Sequence, residues 1–334
     1  MATETEQIQP WGDLEALAGY LRSHSALHVK GEIGLVSEVV GKGSWVYGPG
    51  DDGAVVRMRD GSVGDNPADG HVIACGEALL PAFVAGDPYG AGFAAVLTNV
   101  NDLAAMGATP RGIVNTIVGT TGVAREALRG MHDASRLYDV PLVGGHLTVQ
   151  EGPPALSAFG IGHAQAVLSS THVAAGQSLV VASRTNGTMR TDFPFFRSFR
   201  ERGTEMAGDV RVLAAIAADG SCVAAKDVSM AGTVGSLAML LEFSRLGVTL
   251  DLDALPRPAG VPPAEWLTCF PAYSFLLCSP PGREADCMGA FHDRGLEAAV
   301  VGTIDETGLL ALAAGTVRAF VLDLAVTSVT GIAR

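Results

Sequence analysis

The sequence predicts an α/β protein built as two halves of about 165 residues each. Three observations carry this. β-branched runs such as "AVVRM", "GIVNTIVGT" and "LVVAS" alternate with stretches of helical periodicity. The alternation breaks once, at "SSTHVAAGQS" (169–178), where small and polar residues replace it, and then resumes. An apolar share of 48% supplies a core for both halves, and 42 glycines imply tight turns and close backbone approaches. The expected division is 1–168 and 169–334.

In chain order, a first helix over 13–23 is expected, with Gly12 or Asp13 at its cap and Leu14, Leu17 and Leu21 on one face. "AVVRM" and "HVIACGEALL" read as strands, and "YGAGFAAVL" with "TNVNDLAAMGATP" as one long small-residue helix reaching Pro110. "GIVNTIVGT" is a strand, and a helix opening at Thr121-Gly122 carries Leu128, Met131, Ser135 and Tyr138 at helical spacing. "VPLVGGHLT" reads as a short buried strand ending in a glycine turn, and "ALSAFGIGHAQAVL" as another strand. The second half adds the strand "LVVAS", a helix over 206–218, the strand-turn "CVAAKDVSMAG", and a helix over 233–245 stopped by Gly247. The strand "YSFLLCSP", the helix "READCMGAFHDR" and the strand "LEAAVVGTI" complete it.

Charge narrows the function. The net charge is −13, and of 22 basic residues three are lysines (Lys30, Lys42, Lys226), so no basic stripe is present and nucleic acid is not an expected partner. An anionic nucleotide remains compatible if a divalent cation sits between it and the acidic protein. The five cysteines are dispersed without metal spacing, as expected of reduced cytosolic thiols. "MATETEQIQP" has no signal-peptide character, and no apolar run reaches membrane-spanning length. The expectation is a cytoplasmic protein.

Five places set acidic groups or histidine beside glycine or at strand ends. "GPGDDGAVV" holds Asp51 and Asp52, "ACGEALL" holds Glu77, and "NVNDLAAMG" holds Asn99 and Asp102, three residues apart on one helical face. "VGGHLT" holds Gly144, Gly145 and His146, and "AKDVSMAG" holds Asp227. Mg²⁺ prefers carboxylate oxygens and leaves positions for water and phosphate, while neighbouring glycines let backbone N–H groups approach phosphates. Acidic strand ends in α/β proteins converge where ligands sit. Singly, each has an ordinary reading: a turn for Asp51-Asp52, a cap or solvated group for Glu77, a satisfied core or loop histidine for His146. Asn99 and Asp102 are the least ordinary, because polar groups inside an apolar helix are costly to bury.

In this order, "GDDGAVV", "NVNDLAAMGATP", "GGHLT" and "DVSMAGTVGSLAMLLE" resemble the signature segments of the aminoimidazole ribonucleotide (AIR) synthetase superfamily. The resemblance runs from about Gly48 to Ile304. It implies a PurM-like fold with N- and C-terminal AIR synthase-like domains, the N-terminal ones pairing in a homodimer. It also implies ATP and Mg²⁺ as cofactors, and phosphorylation of a substrate oxygen. On this resemblance Asp51, Asp52, Glu77, Asp102 and Asp227 are the expected metal ligands. Asn99, Asp102, Gly144, Gly145 and His146 are the expected nucleotide-binding residues, and Asp227 and His146 the expected catalytic ones.

Two members are set aside. "GGH" is similar to selenophosphate synthetase, yet no reactive cysteine precedes Cys75. "DVSMAGT" and "FPAYSFLL" lack the acidic groups that thiamine-monophosphate kinase carries there. The segment "SRTNGTMRTDFPFFRSFRERG" (183–203) gathers Arg184, Arg190, Arg197, Arg200 and Arg202 with four phenylalanines. It reads either as an amphipathic segment packed on its domain or as a set of clamps for an anionic small-molecule substrate or for ATP phosphates. The missing C-domain acids also leave open a second function, a nucleotide-binding regulatory relative without turnover.

Overall fold

A computed structural model describes residues 11–28, 30–41, 46–48, 50–56 and 70–332; the last two residues of "AVVRM" and the opening decapeptide lie outside them. Helix α1 (Leu14–Ser23) starts where Asp13 accepts hydrogen bonds from the N–H groups of Glu15 and Ala16, at 3.0 and 3.1 Å. Short helices α2 (Ser25–His28) and α3 (Gly34–Val40) follow. Then come β1 (Ala54–Val56), β2 (His71–Leu79), α4 (Pro81–Gly86), α5 (Pro88–Ala105), β3 (Ala108–Gly119), α6 (Thr121–Tyr138), β4 (Leu142–Val149) and β5 (Ala155–Ala164). These strands form one sheet in the order β1-β2-β5-β3-β4, antiparallel except for β3 and β4.

The second half contains β6 (Ser178–Ser183), β7 (Thr188–Met189), β8 (Phe195–Arg197), α7 (Phe199–Arg202), α8 (Met206–Ala218), β9 (Ala224–Asp227) and α9 (Gly232–Glu242). It continues with β10 (Gly247–Asp251), α10 (Pro263–Thr268), β11 (Phe270–Pro271), β12 (Ser274–Ser279), α11 (Glu284–His292), β13 (Glu297–Asp305), β14 (Leu309–Ala314) and β15 (Val317–Asp323). Seven strands form a mixed sheet, β15-β14-β10-β13-β6-β12-β9, and β11-β8-β7 a small one. Although α1 opens the chain, its Leu14, Leu17 and Leu21 pack in one cluster with Leu310, Leu312 and Val321 of the second half. No helix among the described residues is long and apolar enough to cross a membrane.

One face of the first sheet is covered by α5 and α6 and buries Ile73, Ile113, Ile117, Leu156 and Ala158. The other face is open and exposes Val56, Phe159 and Ile161. Helix α5 is shared: its Ala95 and Val96 lie in one apolar cluster with Val210 and Leu213 of α8 and Phe275 and Leu277 of β12. The two halves therefore share a core.

Three elements differ from the sequence expectation. Helix α5 stops at Ala105, because Gly107 turns the chain at φ +73° and Thr109 and Pro110 already belong to β3. A register shift between Pro110 and Gly112 accommodates the missing proline N–H. Strand β4 is an exposed edge strand with Gly144, Gly145 and His146 in its interior, not a buried strand ending in a turn. Helix α9 ends at Glu242, the left-handed residue beyond it is Arg245, and Gly247 begins β10.

Helices α5 and α6 meet through glycine. A Cβ at Gly92 would overlap the Ala127 carbonyl, and one at Gly130 the Tyr89 carbonyl, whereas Gly86 has open space around it. Gly92→Ala is expected to lower stability by about 3 kcal/mol through overpacking, with Gly86→Ala within about 1 kcal/mol of the parent. Urea unfolding of the two variants checks this; equal midpoints would show that the helices separate freely.

Candidate metal and nucleotide site

Strand β9 ends in Lys226 and Asp227, both buried between β12 and the loop that precedes β1. That loop carries Asp51 and Asp52, and α5 brings Asp102 from the first half. Asp52, Asp102 and Asp227 each offer a carboxylate oxygen within 4.8 Å of the others. Lys226 is ion-paired with both Asp52 and Asp227. The backbone N–H of Asp227 donates to Asp52 at 3.0 Å. Glu77 pairs in register with Ala158, which puts it on the helix-covered face of the sheet beside this group, where Asp227 and Lys226 act on its charge.

The electrostatics follow from burial. Desolvation pushes the Asp52 carboxyl up to about 7, with Lys226 opposing and Asp227 reinforcing the shift. Asp102 is raised well above the usual carboxylate range by burial and then by Asp227 and Asp52. Burial works against the Lys226 ammonium, but Asp227, Asp52 and Asp102 outweigh it and hold the ammonium protonated. Three carboxylates against one ammonium leave a net negative centre. Each like-charged pair at this separation costs on the order of 3 kcal/mol at an effective dielectric near 20. A hard divalent cation held by oxygen ligands relieves that repulsion, so the donor set fits Mg²⁺.

The other expected site residues are placed elsewhere. Asp51 accepts from the Ser169 hydroxyl at 2.6 Å and from the Ser170 hydroxyl and N–H, both at 2.7 Å, so it latches the connection between the halves. Asn99 is fully buried; its amide donates to Ala95 and Ala158 carbonyls at 2.8 and 3.3 Å and its Oδ1 accepts from the Cys75 thiol at 3.2 Å. It ties α5 to the sheet instead of sharing the Asp102 site. His146 pairs with Thr116, and Gly144 with Val114, on the open face of the sheet, opposite the helix that carries Asp102. Gly145, between them on edge strand β4, pairs with Asn115 on the helix-covered face, three strands across from Glu77. A single chain does not bring these three residues to the aspartates.

Sequence reasoning missed Lys226 and Asn101. Lys226 had one available signal: it is one of three lysines and stands beside Asp227. Asn101 is 1% exposed; its amide donates to the Ala272 carbonyl at 3.3 Å while Oδ1 has no partner among the described residues. The segment over 183–203 is largely a packing element. Phe193 stacks on Phe83, Phe199 lies 4.7 Å from Phe93, and Phe196 meets Trp266 edge-on at 5.4 Å. Arg190 pairs with Asp192, and Arg202 grips buried Asp209 through two hydrogen bonds of 2.6 and 2.8 Å.

Two α/β halves that close carboxylates from both sides around one buried lysine define a protein with a divided acidic site at a shared domain boundary. The chain belongs to the AIR synthase-related family: residues 50–164 match the AIR synthase related protein, N-terminal domain, and residues 176–314 the C-terminal domain. It is 34% identical to an uncharacterized protein of Synechocystis over 251 residues, 74% of this chain and 78% of that one. It is 29% identical to thiamine-monophosphate kinase of Rhodopirellula baltica over 217 residues, 63% of this chain and 65% of the kinase. In fold it is similar to T. maritima PurL complexed with ADP, with a TM-score of 0.75 at 16% identity, covering 96% of this chain and 52% of that one. The chain thus spans about half of that PurL chain, and the match extends over both of its own halves.

The raised carboxylates set a sign for pH. Asp52 and Asp102 bind protons in the folded state that the unfolded chain has released, so the stability each contributes is full below the ordinary carboxylate range, about pH 4, and falls as pH rises, the Asp52 part being lost as pH passes through about 7. Asp102→Asn is therefore expected to raise the melting temperature of metal-free protein, and to raise it more near pH 8 than near pH 5. Calorimetry in a chelator decides the matter; a drop of equal size at both pH values would show that the carboxylate is not a liability.

Proposed function

We propose that this chain is an ATP- and Mg²⁺-dependent enzyme that phosphorylates or activates an oxygen of a small-molecule substrate. The observation that carries the reading is the buried meeting of Asp52, Asp102 and Asp227, drawn from a loop, a helix and a strand in both halves. In this reading the three aspartates hold Mg²⁺ and Glu77 adjoins them. Lys226 keeps Asp52 and Asp227 in position, and Asp51 fixes the loop that presents Asp52. Bound Mg²⁺ would supply neutralisation of phosphate charge during transfer. The ADP in the PurL structure and the kinase name of one relative support the nucleotide.

A second reading, a nucleotide-binding regulator without turnover, draws on Lys226, which already offsets two of the three carboxylates. Release of ADP in the presence of candidate amides, carboxylates and ribonucleotides separates the two. Asp102→Asn and Asp227→Asn are each expected to weaken Mg²⁺-dependent binding of a nonhydrolysable ATP analogue at least tenfold, and to cut turnover by about a hundredfold. Titration calorimetry on wild type and variants tests this, and unchanged affinity in both variants would sink the metal assignment.

The same reading includes a homodimer through the open sheet face. Val56, Phe159 and Ile161 expose an apolar surface there at 41, 46 and 41%, which antiparallel sheets ordinarily cover or make polar. His146 and Gly144 share that face, so their part at the nucleotide would be played across the pair. Light scattering after size exclusion is expected to give two chains per particle for wild type and one for Phe159→Lys; a monomeric wild type would remove the dimer from the proposal.

A further inference from the structure

Two partly buried arginines in the segment over 183–203 are not paired by the packing. Arg190, Arg202 and Arg294 each face a carboxylate, but Arg184 and Arg197 have no ion-pair partner among the described residues. The Nε atoms of both are buried without a hydrogen-bond partner, as is the hydroxyl of Ser198, a residue with no exposed surface. Burial first and then the neighbouring Arg202 press Arg184 below its ordinary pKa, against the opposing fields of Asp209, Glu201 and Glu205, with none of which it forms an ion pair among the described residues. Leaving such groups unmet is costly, so they stand out beside Arg190 and Arg202, which are paired, and Arg200, which is exposed to solvent.

The backbone brings these groups to one place. Arg184 donates its N–H to the Tyr273 carbonyl at 3.1 Å, and Ala272 donates to the Phe196 carbonyl at 2.8 Å, so Arg184 and Arg197 flank the same short stretch of chain. Asn101, with its own unmet buried oxygen, reaches the Ala272 carbonyl from α5. Alternation sends both arginines to one face. Val180 and Ala182 on β6 and Phe195 on β8 belong to the cluster that packs against α5, and Arg184 and Arg197 continue the same parity. Asp227 shares that face, being paired with Phe275, which is paired with Ala182. Two strand spacings and a two-residue step separate Arg184 from Asp227, about 12 Å between backbones.

We infer that the substrate of this site carries an anionic group, a phosphate or a carboxylate, bound by Arg184 and Arg197 while its reacting oxygen lies toward the aspartates. Ser198 completes the subsite with a hydroxyl donor. The inference rests on the proposed phosphoryl transfer only for the direction in which the substrate points. The anion site itself stands on the arginines.

The test titrates the full chain, with and without saturating Mg²⁺ and a nonhydrolysable ATP analogue, with inorganic phosphate and separately with malonate. Saturable phosphate binding identifies a phosphate-bearing substrate, and malonate binding in its place a carboxylate-bearing one. The double variant Arg184→Met/Arg197→Met is expected to weaken that binding at least tenfold, with analogue affinity within about twofold of wild type. Arg197→Lys is expected to retain part of it. Arg197→Met is also expected to melt at a higher temperature than wild type without ligand, which loss of a merely structural arginine would not produce. No binding of either anion to the wild type, binding unaltered in the double variant, or a parallel loss of analogue affinity would each overturn the inference. Anion binding in a protein that binds no nucleotide would leave the subsite intact and overturn the ATP reading.

Discussion

The repulsion among three buried carboxylates is the constraint around which this molecule is arranged. Asp52, Asp102 and Asp227 are held within reach of one ion, and a single ammonium, that of Lys226, lies between two of them. Left to itself such a group would disperse or take up protons, and the raised positions of Asp52 and Asp102 record that tendency. The fold opposes dispersal at each corner. Ser169 and Ser170 clasp Asp51 and so fix its neighbour Asp52. The Asp227 N–H bonds Asp52 directly. Asp102 sits on a helix that cannot slide, because glycine contacts press it onto α6 and Asn99 bonds it to the sheet.

Helix α5 accordingly does three things with residues close together in sequence. Successive side chains of a helix point about 100° apart, so Asn99 and Asp102 lie about 60° from each other on one side of α5 and Asn101 turns away from both. Asn99 faces β5 and β2, Asn101 faces Ala272 in the link between β11 and β12 of the second half, and Asp102 faces the acidic centre. A wholly apolar helix would pack as tightly but would fasten neither the sheet nor the second half by a directional bond. The polar interruption is thus both a joint between domains and a source of one ligand.

Much of this was legible in the chain. Acidic residues beside glycines at strand ends marked Asp52, Asp102, Glu77 and Asp227, because short-range spacing and residue type suffice to suggest oxygen ligands. The AIR synthase-related family followed from the same segments in order. What escaped was set by register and by contacts distant in sequence. His146 was expected beside the phosphates, but pairing with Thr116 puts it on the open face, and a one-residue shift in strand register reverses such a placement. Asn99 shares a helical face with Asp102 by counting, yet its partners lie 24 and 59 residues away. The packing of α1 on β14 and β15 joins opposite ends of the chain, which no local pattern signals. Lys226 was passed over because one lysine in a strand has no pattern of its own.

Adjacent Asp51 and Asp52 show how the protein separates structure from chemistry. Both are largely buried and both are pushed upward by desolvation, so burial alone does not distinguish them. Their partners do. Asp51 meets two neutral hydroxyls and an N–H, three donors that hold it to the connection between the halves. Asp52 meets one ammonium shared with Asp227 and the field of Asp102, an arrangement in which charge is opposed but not neutralised. A carboxylate held by three neutral donors stabilises a loop. One left among like charges is relieved by a proton or by a cation, and whatever binds there only in the folded chain adds to its stability.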